Sequence, residues 1–304
     1  MSDSKPPVSG TPKIAPPSPT PIANRAMSLG DILVANGYLQ TADLHGILEL
    51  QKNKGLPFGE AAMALNLLRK SDLDFALSKQ FDYAYLSEED DSLSPQLVAA
   101  YQPFSSIGEN LRALRSQLML RWFTGQPQHR IMTVVSAAQG DGRSFLAANL
   151  AIVFAQQGQR TLLIDGDLRA KPENGQQALF QLDRSSGLSG ILAGRGGMEQ
   201  CKAVPSLPGL GVLPAGAVPP NPQELLGRAI FGKLLAKAAS TFDVVLIDTP
   251  SGSDYADAEI ISARAGAAMM VARKNQSLLQ HTTSFASRLQ MSGVTLVGSV
   301  LNDA

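Results

Sequence analysis

The sequence predicts an α/β fold: a P-loop parallel sheet flanked by helices, preceded by a small, mainly helical domain and a disordered N-terminus. Three observations carry that reading. A β-branched apolar run, Ile131 to Val135, gives way to a glycine-containing turn and then to a helix-forming segment, the pattern of strand, loop and helix. Two further apolar segments, Thr161 to Arg169 and Phe242 to Pro250, end in Asp165-x-Asp167-x-Arg169 and in Asp248-Thr249-Pro250. Beyond the first strand, apolar runs and helical stretches alternate. That order implies right-handed crossovers and a sheet covered on both faces.

Strands are expected at 131–136, 161–165, 210–214, 243–248, 267–272 and 294–301, and helices at about 143–157, 222–239, 256–264 and 276–291. Lys171 to Ser206 lacks a clear period and is expected as a surface excursion with a short helix or two.

The loop after the first strand has a phosphate-binding pattern. Ala137 opens it, Gly142 closes it and Ser144 follows, with Arg143 where the Walker A pattern has lysine. Glycines let successive N–H groups point inward, and a helix N-terminus adds positive potential for an anion. Gln139, Gly140, Asp141, Gly142, Arg143, Ser144 and Phe145 are the expected binding site for the phosphates of ATP, with the Ser144 hydroxyl on Mg²⁺. Carboxylates at the C-terminal ends of parallel strands face the crevice where such sheets bind ligands. Asp165 and Asp248 are therefore expected at the metal, directly or through bound water. Asp165 and Asp167 are expected beside the incoming hydroxyl, one of them as base. An ordinary strand-to-helix turn explains the loop alone, but not three strand-end carboxylates beside it. Asn302, ending the last strand, is read either as an adenine contact or as a strand-end turn. Arg143 is a planar fork, not interchangeable with the compact lysine ammonium. It is assigned a catalytic role, with slow turnover expected.

From Ser105 to Asn302 the chain resembles the bacterial tyrosine kinases of exopolysaccharide export, a branch of the deviant-Walker P-loop ATPases. The resemblance rests on the loop around Gly142, on LLIDGDLR, on LIDTP, on LPAGAVPPNPQELL (Leu213 to Leu226), and on Glu109-x-x-Arg112-x-x-Arg115. The last matches the motif by which these kinases pack into rings. It is most similar to the EpsG-type chain-length-determinant kinases, made separately from their membrane partner. The resemblance implies an ATP- and Mg²⁺-dependent tyrosine autokinase that regulates polysaccharide chain length together with a membrane copolymerase. A non-catalytic, nucleotide-gated scaffold of the same machinery is the alternative. The tyrosine-rich tail of the family has no counterpart here, where the last tyrosine is Tyr255; an internal tyrosine or another protein is then the acceptor. Partition and septum-placing ATPases carry a signature lysine where this chain has Ala138, which sets them aside.

Glu109, Arg112 and Arg115 recur at helical spacing, with Leu111, Leu114 and Leu118 behind them. An intrachain ion pair on a surface helix is the bland alternative to ring packing. Such pairs contribute only about 0–1 kcal/mol, so stability alone gives little reason for the arrangement.

Composition narrows the partners. The chain has 304 residues and a formal net charge of +0, so bulk electrostatics favours neither nucleic acid nor an acidic membrane surface. Its single cysteine, Cys201, excludes an internal disulfide and fits a reducing compartment. No apolar run reaches bilayer-spanning length and no signal pattern opens the chain. The expected location is cytoplasmic, at the inner membrane through a partner.

Residues 1–26 are rich in Pro and Ser and poor in large apolar residues, a composition that cannot offset its ordering entropy. An internal repeat follows over 27–86. Ser28 to Gln51 and Pro57 to Gln80 align Leu29/Phe58, Gly30/Gly59, Leu44/Leu73, Leu48/Leu77 and Gln51/Gln80. The apolar spacing predicts four short helices, with Thr41 and Ser71 as N-caps. The repeat resembles the MshEN-type N-terminal domain of type II secretion ATPases, some of which bind cyclic di-GMP. That family's opening arginines are replaced by Ser28 and Pro57, so binding of this nucleotide is expected to be weak or absent. Phe81 to Leu86 is read as a possible strand, 87–104 as a linker with a helix near Ser94 to Tyr101, and 105–304 as the ATPase domain.

Overall fold

A computed structural model describes residues 28–80, 84–87, 89–171, 173–183 and 187–303. The segment expected to be disordered lies outside them.

The repeat forms four helices: α1 (Leu29–Ala35), α2 (Thr41–Lys54), α3 (Phe58–Ala64) and α4 (Lys70–Gln80). Their shared core includes Leu33, Ile47, Ala61 and Ala76, all fully buried. The aligned glycines and leucines meet one another. A Cβ on Gly30 would approach Leu44 to 3.1 Å, and one on Gly59 would run into Leu73. Each repeat unit thus needs its glycine to seat its own leucine.

The caps differ from expectation. Thr41 already lies inside α2, where Asp43 takes the Gln40 N–H at 2.8 Å. Ser71 lies inside α4, where Asp72 takes the Arg69 N–H at 3.0 Å. In both, an aspartate three residues on captures the preceding residue's N–H and starts the helix earlier. Ser28 caps α1 in a reciprocal box with Asp31, satisfying two orphan donors.

Of the possible strand at 81–86, residues 84–86 are not in a strand and the rest lie outside the described residues. The stretch read as a linker is packed. Leu93, Leu97, Ala99 and Ala100 are buried, and α5 (Val98–Tyr101) lies against α7 (Arg143–Gln156). Asn149 of α7 accepts from Ala99 N at 2.9 Å, and Gln156 donates to Ala84 O at 2.8 Å and Ala99 O at 2.9 Å. Rings of Tyr38, Phe75, Tyr85 and Phe104 follow one another at 5.5, 6.2 and 6.5 Å between centroids. This aromatic run carries the helical unit onto the packed segment.

Among the described residues the sheet has seven strands in the order β3-β4-β2-β5-β1-β6-β7. β1 (Ile131–Val135), β2 (Thr161–Asp165), β4 (Leu210–Leu213), β5 (Val244–Asp248), β6 (Ala267–Arg273) and β7 (Thr295–Asn302) are parallel. The short edge strand β3 (Lys202–Ala203) runs antiparallel to β4 and was not expected. Alternate residues of β2 and β5 face opposite layers: Leu163, Val244 and Leu246 meet α7, while Leu162, Ile164, Val245 and Ile247 join a second core. α6 (Ser106–Arg121) covers α7; α12 (Asp257–Ala265) and α13 (Leu279–Met291) lie on the other side. The single helix expected over 222–239 is two, α10 (Pro222–Gly227) and α11 (Ala229–Thr241). Arg228 between them is extended (φ −67°, ψ 149°) and donates to Leu192 O at 3.2 Å, a partner in the excursion that also holds α8 (Gln176–Leu179) and α9 (Leu188–Leu192). At the base of β1, the buried Trp122 donates to Ile131 O at 3.0 Å and packs on His129 at 4.5 Å.

Candidate nucleotide site

The loop between β1 and α7 turns on two glycines in the left-handed region, Gly140 (φ +83°) and Gly142 (φ +96°), a conformation costly for residues with a Cβ. It leads straight into α7, whose first residue is Arg143. The Asp141 side chain closes the loop from outside. Its Oδ2 accepts from Ala138 N at 3.2 Å and its Oδ1 from the Ser277 hydroxyl at 2.7 Å. Asn302, at the end of β7, donates to Asp141 O at 3.1 Å and lies against Gly142, where a Cβ would strike it. Both side chains are therefore engaged in shaping the loop.

Arg143 is buried, at 8 % exposure. Its Nε donates to Thr249 O at 2.9 Å, and its Nη1 to Ala138 O at 2.6 Å and to the Ser136 hydroxyl. The guanidinium thus binds the start of its own loop to the segment after β5.

Beneath the loop lie two carboxylates. Asp165 and Asp248 end neighbouring strands in direct register and are almost fully buried. Burial, and then the charge of Asp248, hold the Asp165 carboxyl well above the usual range. Asp248 is also raised by burial, against hydrogen bonds from Ser144 and Gln176 and the positive charge of Arg143. Gln176 ties the pair together. Its backbone N–H donates to Asp165 Oδ2 at 2.8 Å, and its side-chain amide donates to Asp248 Oδ2 at 2.8 Å and Ser144 O at 3.1 Å.

Asp248 Oδ1 and Gln176 Oε1 are buried without a hydrogen-bond partner. Buried acceptors are ordinarily satisfied, and oxygens are what a hard cation takes. The Ser144 hydroxyl stands beside them, so the donor set fits Mg²⁺. Among the described residues there is no cluster of three or more His, Cys, Asp or Glu arranged for a metal. Mg²⁺ usually needs only one or two carboxylates together with substrate phosphates.

Above this floor opens a cavity of about 660 Å³, lined by Gln139, Gly140, Gly142, Arg143, Ser144 and Phe145 on the loop side. Asp167, Arg169 and Tyr255 line it elsewhere. Burial raises the Asp167 carboxyl; its Oδ1 accepts from the Arg169 and Ala170 N–H groups, and the nearby Arg143 charge works the other way. Of the sequence-assigned site residues, the structure thus brings together the loop and all three aspartates. Asp141 and Asn302 brace the loop. Gln176 was missed, since no local pattern marks one glutamine in an aperiodic excursion. Asp257, fully buried against Arg169, was missed likewise.

Glu109, Arg112 and Arg115 lie apart from the cavity on α6. Arg112 bonds Pro103 O and pairs with Glu109, and Arg115 donates to Val153 O at 2.9 Å. These contacts are all within the chain.

No family model matches the chain. Comparison with curated proteins finds the tyrosine-protein kinase YwqD of Bacillus subtilis, 33 % identical over 206 residues, which are 68 % of this chain and 85 % of YwqD. The chain belongs to the bacterial tyrosine-kinase family. The tyrosine-protein kinase wzc of Salmonella typhimurium is 36 % identical over 207 residues, 68 % of this chain but only 28 % of wzc. The chain therefore matches under a third of that longer kinase. In structure, the kinase domain of the Escherichia coli tyrosine kinase ETK superposes with a TM-score of 0.65 at 31 % identity, covering 72 % of this chain and 84 % of that domain. No described helix is long and apolar enough to cross a membrane.

Proposed function

We propose that the chain is an ATP- and Mg²⁺-dependent protein-tyrosine kinase that acts in exopolysaccharide chain-length control and export with a separate membrane copolymerase. The observation that carries this is the buried Asp165–Asp248 pair, bridged by Gln176 directly under a phosphate loop, in a chain of the tyrosine-kinase family.

Phosphoryl transfer demands positioning and charge neutralisation more than covalent chemistry. The N–H groups from Gln139 to Ser144 would hold the β- and γ-phosphates at the N-terminus of α7. Ser144 and Asp248 would hold Mg²⁺, with Asp165 beside them and Gln176 fixing both carboxylates. A metal held there would supply charge neutralisation for the phosphates. Asp167 lines the cavity wall, which supports it, rather than Asp165, as the base that would take the proton of an incoming tyrosine hydroxyl. Arg143 would reach the phosphates only by exchanging its bonds to Ala138, Ser136 and Thr249, a step that would slow turnover. Glu109, Arg112 and Arg115 are assigned to self-association into a ring.

The inward set of Arg143 also supports a second reading: a scaffold that binds nucleotide and assembles without transferring phosphate. Phosphate release and phosphotyrosine formation, measured with the cytoplasmic segment of the membrane partner present, separate the two. The kinase reading expects both signals in the native chain and neither in Ser144→Ala or Asp165→Ala. Nucleotide binding without either signal selects the scaffold.

A further inference from the structure

The chain has five tyrosines, and their surroundings differ sharply. Tyr85 and Tyr101 are buried, at 9 % and 7 % exposure. Tyr38 is half-buried against Phe75 in the helical unit, and Tyr83 lies outside the described residues. Tyr255 is 45 % exposed and lines the same cavity as the phosphate loop and Asp167.

Its ring is held in place. The Arg169 guanidinium lies over it, 3.9 Å from the centroid, a favourable cation–ring arrangement. Arg169 is itself fixed by the fully buried Asp257, at 2.7 Å and 3.2 Å. The Arg169 backbone N–H bonds Asp167 Oδ1 at 3.1 Å. A hydroxyl-bearing ring, the guanidinium that clamps it and a carboxylate thus form one continuous patch of the cavity wall. Stacking alone would be served equally well by phenylalanine. A tyrosine adds a nucleophilic oxygen to the cavity in which a nucleoside triphosphate would present its phosphates.

We propose that Tyr255 is a phosphoacceptor of its own chain. The inference rests on the kinase reading above and supplies its acceptor. In the step, Tyr255 Oη attacks the γ-phosphorus of ATP and a new O–P bond forms. The bond from that phosphorus to the β,γ-bridging oxygen breaks, ADP leaves with that oxygen, and the phenolic proton passes to Asp167. Donor and acceptor share one cavity, so the transfer needs no second copy. The product is a phosphate dianion beside Arg169, which favours it electrostatically.

The test incubates the full chain, with the cytoplasmic segment of the membrane partner held at saturating concentration, with Mg·ATP labelled at the γ-phosphate, alongside a random Glu/Tyr copolymer as an added acceptor. Trypsin releases Ala238 to Arg264 as a peptide whose one tyrosine is Tyr255. The expected result is label in that peptide, at a rate per molecule that does not change on dilution, and its loss in Tyr255→Phe. Label confined to the copolymer or to other tyrosines overturns the assignment while the kinase reading stands. A rate per molecule that falls on dilution overturns transfer within one chain. No label on any acceptor overturns both.

Discussion

The Gln176 side chain donates to Asp248 at 2.8 Å while its backbone N–H donates to Asp165 at the same distance. One residue of a short helix in the excursion therefore holds two carboxylates that repel each other, and the cost of crowding them is carried by a retained proton. Asp165 is held above its ordinary value, so the folded chain keeps a proton that the unfolded chain gives up above about pH 4. That contribution to stability is complete below the unfolded value and is lost as pH rises through the folded one. Asp165→Asn should therefore stabilise the ligand-free protein increasingly as pH rises towards neutral, with little effect in acid. Melting temperature against pH, for both proteins, checks this. Binding of Mg·nucleotide to the native chain should release protons, seen as calorimetric heats that vary with the ionisation enthalpy of the buffer.

Arg143 gives a second prediction. Its guanidinium donates to Ala138, Ser136 and Thr249 in a buried setting, and hydrogen bonds from charged groups are worth about 1.5–3 kcal/mol each. Arg143→Ala should lower unfolding free energy by roughly 2–4 kcal/mol, because it strips buried acceptors of their donor. It should also weaken nucleotide binding. Arg143→Lys should recover binding more fully than stability, since an ammonium cannot span all three acceptors. Urea unfolding and calorimetry on the two variants separate these effects.

Self-association is best tested through Glu109. Arg112 and Arg115 also bind carbonyls of their own chain, so their loss disturbs α6 itself. The Glu109 side chain is 71 % exposed. Glu109→Ala should reduce the sedimentation coefficient of an assembled protein while leaving its melting temperature almost unchanged, as expected for an exposed pair. A native chain that stays monomeric, with and without the membrane partner, would falsify the ring.

For the repeat, Ser28 caps α1 in a reciprocal box with Asp31. Ser28→Ala should cost about 1 kcal/mol, the usual worth of such a cap. Calorimetry with cyclic di-GMP is expected to show no saturable heat. A tight, saturable isotherm would overturn that expectation.

The sheet was legible because its strands are unusually plain. β1, β2 and β5 are mostly apolar, with Thr133, Thr161 and the strand-ending Asp165 and Asp248 as the exceptions, and are buried along their whole length, the composition of central parallel strands. The phosphate loop and its aspartates were legible because they sit at fixed offsets from those strands. Gln176 and Asp257 were not, because their roles arise from contacts across the fold and leave no local period. Arg143 was readable as a departure, but not its direction: two of the three acceptors that claim it, Ala138 O and Thr249 O, are backbone atoms that any sequence would supply. The break at Arg228 was hidden for a similar reason, since its carbonyl partner belongs to Leu192.

Trp122 is the chain's only tryptophan, buried at the base of β1 with its indole N–H on Ile131. Intrinsic fluorescence excited at its absorption edge therefore watches the sheet and is blind to α1–α4. Circular dichroism, by contrast, sees every helix. If the two optical signals melt at different temperatures, the four-helix unit comes apart separately from the sheet. If they coincide, the aromatic run from Tyr38 to Phe104 makes the described chain one cooperative body.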